Sequence, residues 1–458
     1  MLPEFHSVNP ATEKVIASYP LHDADDITRR VELAAKGFAN WSRTTVEHRS
    51  AVLSALAGSL RRRKIELARL MACEMGKPVV AGEGEIEKCA VTCEYFANNA
   101  CRFLEPQFIP TDATRSHVRF DPLGPILAIM PWNFPFWQAF RAAVPAIAAG
   151  NTVILKHAPN VCGCAIAIEE IFAEAGGPDG LLVQVRCENP IAERLVEHPL
   201  IRGVTLTGSE RAGRAVAAAA GRSLKKCVLE LGGSDPFVVL PDADIPAVAR
   251  AAAAARCTNS GQSCIAAKRF IVDRSVVGPF TNALAGAMRA MTAGDPLDRH
   301  TYLGPLARLD LLQNLHCQVE NSLAAGARLV CGGQRAARAG YYYDVTVLAD
   351  VRPGMAAFDE ETFGPLAAVI ASDNLDDSIE LANRSGFGLG ASLWSRNSQL
   401  AEQAAARLDC GNTFINGAVK SDARLPFGGV KNSGFGRELS AFGLLEFVNV
   451  KTVWIRDS

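Results

Sequence analysis

The stretch VTLTGSERAG, residues 204–213, decides the fold. Val204 to Thr207 form a short β-prone run, Gly208 and Ser209 break it, and Glu210 opens a helical segment. A strand that turns directly into a helix aims free backbone N–H groups and the positive helix end at one point, where a phosphate can sit. The neighbouring segments repeat the pattern: TVILK (152–156), LLVQV (181–185) and CVLEL (227–231) are short apolar runs with helical stretches between them. That alternation predicts an α/β fold with a parallel sheet covered on both faces, the doubly wound architecture of nucleotide-binding domains. The stretch lacks G-x-G-x-x-G, so the standard Rossmann fingerprint is absent.

Outward from this core, residues 24–103 read as helices, opened by the acidic capping residues of DADDITRR. SHVRFDPLGPILAIMPWNFP (116–135) is β-type sequence broken by Gly and Pro. Downstream, PFVVL (236–240), KRFIVD (268–273), ARLVCGG (327–333), LAAVIAS (366–372) and GASLWS (390–395) predict strands of a second α/β region. EFVNVKTVWI (446–455) alternates as a strand does, and a terminal strand far from its own sheet often pairs with another subunit.

The 458 residues, 49% hydrophobic and 21% charged, suit a globular protein of two or three domains. A net charge of −1 gives no electrostatic case for nucleic acid or an anionic membrane. With no secretory-type start and no apolar run long enough to span a bilayer, a cytoplasmic location is expected. The thirteen cysteines are scattered, as reduced packed thiols are. Neither Cys162/Cys164 nor Cys89/Cys93 has a second ligand pair at zinc spacing, so no metal is expected. Arg61-Arg62-Arg63-Lys64 reads as a phosphate patch or, more simply, as a solvated helix face.

Three segments suggest chemistry. Cys264 follows Asn-Ser-Gly-Gln-Ser, a polar and flexible approach that suits an attacking thiol, although a buried cysteine at a loop–strand junction would read the same. Glu230 ends an apolar strand before Gly-Gly, where α/β sheets present catalytic groups; partial burial would raise its pKa toward that of a general base. The alternative is an edge glutamate paired with Lys225 or Lys226. Asn133 in PWNFP (131–135) is an amide held between prolines and aromatic rings, suited to an oxyanion hole or to capping a turn. Lys156 ends a strand and could reach a ribose or phosphate. Glu361 and Phe363, before a Gly-Pro turn, could hold a ribose and wall off a flat ring.

In order, PWNFP, ILK (154–156), TGS (207–209), LELGG (229–233), GQSC (261–264), EETFGP (360–365) and PFGGVKNSGFGRE (426–438) resemble the aldehyde dehydrogenase superfamily over essentially the whole chain. LKHAPN (155–160), KKCVLELGGSDPF (225–237) and FGGVKNSGFGREL (427–439) are most similar to the NAD(P)-dependent succinate-semialdehyde dehydrogenases. The resemblance implies a nucleotide-binding domain of residues 1–105 and 123–229, and a catalytic domain of 230–436. It also implies a β oligomerisation arm of 106–122 and 437–458, hence a homodimer or homotetramer. In the implied mechanism Cys264 attacks the aldehyde, Asn133 and the Cys264 N–H hold the oxyanion, and Glu230 activates the water that releases the acid.

Implied cofactor contacts are Trp132, Asn133, Lys156, His157, Ala158, Pro159, Gly208, Ser209, Leu231, Glu361 and Phe363. Strict NAD enzymes of the family often carry Glu three residues after the lysine; Pro159 stands there, so NAD should be used and NADP tolerated. Arg141 and Ser421 match residues that bind the distal carboxylate of succinate semialdehyde. A second family arginine is replaced by Thr258, which would leave recognition weaker or shared with Lys420 or Arg424. Rival readings are an enzyme for medium-chain or aromatic aldehydes, a CoA-acylating dehydrogenase and a cysteine hydrolase.

Overall fold

The computed structural model describes residues 3–457. The chain begins with a hairpin of β1 (Glu4–Asn9) and β2 (Lys14–Pro20). Helices α1 (Ala24–Trp41), α2 (Val46–Met75) and α3 (Val79–Phe103) follow. Asp23 caps α1 by accepting from the Asp26 N–H, Thr45 caps α2, and Gly76 ends α2 at φ 79°. Arg61 pairs with Glu87 and Glu94, and Arg63 with Glu66, Glu170 and Glu174, so these charges of the basic run are spent on neighbouring helices. Cys89 and Cys93 are packed in the core on α3.

The first sheet is built from β5 (Pro125–Ile129), β6 (Thr152–Lys156), β7 (Leu182–Gln184), β8 (Gly203–Thr207) and β9 (Lys226–Glu230). Helices α4 (Pro135–Ala148), α5 (Cys162–Glu174), α6 (Asn189–Glu197) and α7 (Glu210–Arg222) connect these strands. The strands are parallel and lie in the order β9-β8-β5-β6-β7. The chain runs outward from β5 in one direction and then returns to β8 on its other side. The crevice beyond the carboxyl ends of β5 and β8 is therefore the switch point where such sheets bind ligands. Glu74 accepts from the Gly163 and Cys164 N–H groups at the start of α5, which buries Cys162 and Cys164 as packed thiols.

The second sheet takes β10 (Pro236–Val239), β11 (Arg269–Asp273), β12 (Arg328–Cys331), β13 (Thr346–Ala349), β14 (Leu366–Ser372), β16 (Gly390–Trp394) and β17 (Asn412–Ile415). Their order is β12-β13-β14-β11-β10-β16-β17, parallel except for β12. Helix α8 (Ile245–Cys257) links β10 to the loop before β11. A two-residue pair joins β15 (Phe387–Gly388) to β18 (Val430–Lys431). β19 (Gly434–Phe435) then crosses back to the first sheet and lies antiparallel to β9, with Gly434 opposite Glu230. A Cβ on Gly434, at φ 108°, would stand 2.0 Å from the Leu229 carbonyl oxygen, so this close approach requires glycine.

Finally, β20 (Val448–Ile455) pairs along its whole length with β4 (Arg115–Pro122), which also pairs with β3 (Gln107–Phe108). Every segment read as a strand from the sequence forms one. The hairpin strands β1 and β2, the strands β13 and β17 and the two-residue strands β3, β15, β18 and β19 were not anticipated.

Candidate active site

Cys264 lies in the loop before β11, between the two large sheets. Its approach is strained. Asn259, Ser260 and Gly261 all take left-handed backbone angles, at φ 53°, 57° and 77°. A Cβ on Gly261 would meet the Gly364 carbonyl oxygen at 2.1 Å. Side chains hold the loop by its carbonyls. Arg256 Nη2 donates to Gly261 O at 2.6 Å, and Asn259 Nδ2 to Gln262 O at 3.1 Å. Lys268 Nζ donates to the carbonyls of Ser263, Cys264 and Ala266 at 2.9–3.1 Å. The Ser263 carbonyl is thus turned toward Lys268. The N–H of that trans peptide, which belongs to Cys264, points the opposite way and donates to no backbone oxygen among the described residues. The Cys264 thiol is pushed up to about 12 by burial, against the opposing charges of Arg141 and Lys268.

Asn133 is buried and donates from Nδ2 to Gln262 O at 3.1 Å, while its backbone carbonyl accepts from Asn259 Nδ2 at 2.7 Å. One N–H of its amide remains free beside the Cys264 loop. The turn is fixed from α3: Glu85 accepts from the Phe136 and Trp137 N–H groups at 2.9 Å each and pairs with Lys77, whose ammonium lies over the Phe134 ring. A helix N-terminus capped in this way cannot rotate the preceding asparagine out of place.

Glu230 closes β9 and is buried, with no hydrogen-bond partner on either oxygen among the described residues. It pairs with neither neighbouring lysine: Lys226 reaches Glu446, and Lys225 donates to the Val196 and His198 carbonyls. Burial is the main cause that pushes its pKa up, to about 8; Arg141, 4.0 Å away, opposes the shift and Glu438 adds to it. Glu438 arrives on the segment after β19 and forms an ion pair with Arg141. Nothing in the sequence marked this partner beyond its place in FGREL.

At the switch point, Ser209 caps α7 by accepting from the Ala212 N–H. Lys156 Nζ donates to Asn189 Oδ1 at 3.2 Å. A slot of about 200 Å³ between α6 and α7 is lined by Ile129, Glu193, Arg211 and Val216 among others. Trp132 and Phe363 meet edge to face with ring centroids 5.8 Å apart. Leu231 packs against Gly213, and Glu361 accepts from the Gly233 N–H at 2.9 Å with Lys268 at 3.9 Å. A strand–helix crevice with an anion-facing helix start, a lysine, a carboxylate and an aromatic wall fits a dinucleotide. His157 is committed elsewhere. Its Nδ1 accepts from the Ala158 N–H, its Nε2 lies 2.8 Å from Pro135 O, and burial lowers its pKa to about 4, so it is a neutral structural ring. Ala158 is buried and Pro159 is exposed at the following turn.

The residues expected at the substrate end are differently engaged. Arg141 is drawn to Glu438 and Glu230, and Arg424 pairs with Asp422. Thr258 donates to Ala254 O. Ser421 Oγ accepts from Lys88 Nζ at 2.6 Å, a partner the sequence did not announce.

The Aldehyde dehydrogenase family model matches residues 3–453. The chain is 48% identical to succinate semialdehyde dehydrogenase [NAD(P)+] of Escherichia coli, covering 98% of this chain and 97% of the relative. It is 46% identical to a probable succinate-semialdehyde dehydrogenase [NADP(+)] of Synechocystis, over 98% of this chain and 99% of that one. The solved succinic semialdehyde dehydrogenase of Streptococcus pyogenes in complex with NADP+ superposes with a TM-score of 0.96 at 33% identity, covering 99% of this chain and 100% of that one. A whole-chain match of this kind, on a fold whose two sheets bring a strained cysteine loop to a buried carboxylate, makes the chain a member of the aldehyde dehydrogenase family.

Proposed function

We propose that the protein oxidises succinate semialdehyde, or a similar ω-carboxy aldehyde, to the acid with NAD or NADP. The reading is supported by the Asn133 amide bonded to the Cys264 loop, by a Glu230 carboxyl near enough to act on the Cys264 thiol, and by the chain's similarity to relatives named for that reaction. Cys264 gives up its proton to solvent and attacks the aldehyde carbon as the thiolate, the carbonyl π bond opening onto oxygen, and the free Asn133 N–H and the Cys264 N–H stabilise the oxyanion as it forms. The dinucleotide, when bound, supplies the acceptor for the hydride lost as the thiohemiacetal becomes a thioester. Glu230 then takes a proton from water, which attacks the thioester and releases the acid. Trp132, Lys156, Gly208, Ser209, Leu231, Glu361 and Phe363 would hold the cofactor. Residues 1–105 with 123–229 would form its domain and 230–436 the catalytic one. The arm of 106–122 and 437–458 would pair subunits as a dimer or tetramer, an assignment supported by the exposed Val450 and Trp454 on β20.

A panel of aldehydes with and without a terminal carboxylate, run with both dinucleotides, tests this reading. We expect the carboxylated aldehyde to be favoured in kcat/KM and both cofactors to turn over, because no carboxylate at position 159 repels a 2′-phosphate. Equal rates on uncharged aldehydes would favour the broad-range rival, for which the commitment of Arg141 to Glu438 speaks. Dependence on CoA would replace water as the acyl acceptor.

The pH profile gives a second test. The Glu230 carboxyl, with its pKa pushed up to about 8, is protonated at neutral pH, and only its ionised form is a base. The rate of acid release should rise as pH climbs through about 8. A flat profile across that range would remove Glu230 from the step.

A further inference from the structure

We propose that Lys88, with Ser421, forms the carboxylate-binding pair at the substrate end of the site. The inference rests on the ω-carboxy aldehyde reading above.

The two residues face a cavity of about 630 Å³, lined also by Tyr95, Asp422 and Arg424. Lys88 Nζ donates to Ser421 Oγ at 2.6 Å and lies 4.1 Å from the centre of the Trp137 ring. An acceptor hydroxyl and an aromatic face steady the ammonium without neutralising it. The carboxylates around it are already spent: Glu85 pairs with Lys77, Asp422 with Arg424, and Glu87, which also lines the cavity, with Arg61 and Lys64. Lys88 therefore presents a half-buried cation with no carboxylate partner among the described residues, and the Ser421 hydroxyl keeps its own proton to donate. A bound carboxylate would accept from both.

The other cations are less free. Arg141 is held by Glu438 and stands beside Glu230. It stands 4.0 Å from Glu230, and its charge also reaches the Cys264 thiol and Lys88, so the reacting centre and Lys88 have this residue as a common neighbour. Trp137 and Arg141, one helical turn apart, line the same face of α4, which begins just after Asn133. A short chain with its aldehyde at Cys264 would run along this face and end its carboxylate at Lys88.

Titration offers an independent readout. Burial, with Arg141 adding to the effect, lowers the Lys88 pKa to about 8, against weaker support from Cys89, Glu85 and Asp422. The ammonium binds a carboxylate and the free amine does not, so KM for a carboxylated aldehyde should climb above about pH 8.

The experiment measures kcat and KM for succinate semialdehyde and butanal on the wild type, Lys88→Met and Lys88→Arg. Losing one charge-assisted contact should cost Lys88→Met about 30-fold in kcat/KM on succinate semialdehyde, mostly in KM, with butanal changed by less than about threefold. Lys88→Arg should keep the preference and remove the rise in KM above about pH 8. Lys88→Met with an unchanged preference overturns the role of Lys88 alone. An equal loss on both aldehydes also overturns it, as a fold defect. A wild type that does not prefer the carboxylated aldehyde sinks the substrate reading and this inference together.

Discussion

Cys264→Ala is expected to lose aldehyde oxidation by at least ~10⁴-fold while keeping its fold and its dinucleotide binding. The loop that delivers the thiol is held by contacts to its carbonyls from Arg256, Asn259 and Lys268, none of which involves the sulfur. Removing one half-buried sulfur atom should cost only about 1 kcal/mol of stability. The oxyanion donors would remain, with nothing to attack the carbonyl. Measuring turnover beside dinucleotide affinity separates chemistry from folding. Cys101 and Cys317 are the exposed thiols, so labelling with a thiol reagent cannot replace the substitution. Should the variant keep a tenth of the wild-type rate, another group is the nucleophile and the mechanism above fails.

Glu230→Gln should separate the two halves of the reaction. Glutamine keeps the shape of the side chain but cannot take a proton from water. The first half, attack and hydride loss, should still give a burst of about one reduced nicotinamide per active site. Steady turnover should then fall by ~10²–10⁴-fold as the thioester accumulates. Intact mass spectrometry would show the acylated chain, and added hydroxylamine, which needs no base, should restore part of the turnover. If the variant turns over at the normal rate, water is activated elsewhere, and the buried Glu438 and the half-buried Glu361 are the nearby carboxylates to examine. Because Arg141 is already paired with Glu438, the substitution leaves no buried cation stranded.

The cysteine loop shows how far the local sequence reaches. NSGQSC suggested a thiol brought in on a flexible turn, yet the segment is held rather than flexible. Three consecutive left-handed residues lead into carbonyls at 261, 262 and 263 that are held by Arg256 of α8, by Asn259 itself and by Lys268. Glu230 was legible as a carboxylate ending an apolar strand, and its local alternative, a pair with Lys225 or Lys226, falls away because those lysines have partners of their own. His157 reads from its place beside Lys156 as a cofactor contact. The fold turns it to Pro135, since a buried neutral imidazole must satisfy both of its nitrogens.

Periodicity and punctuation by themselves determined the doubly wound sheet, the second α/β region and the terminal strand, because burial on both faces marks the sheet strands as apolar runs and alternation marks the terminal one. Motif order determined the family, and it pointed to Cys264, Asn133 and Glu230 as the catalytic set proposed above. Only the tertiary structure decided which charges are free to act. It drew Arg141 to Glu438 from 297 residues away in the chain, by way of a glycine-dependent strand laid beside β9, and it left Lys88 beside Ser421 with its neighbouring carboxylates taken. An ion pair depends on distance in space, and distance in space is set by packing among elements that are remote in sequence.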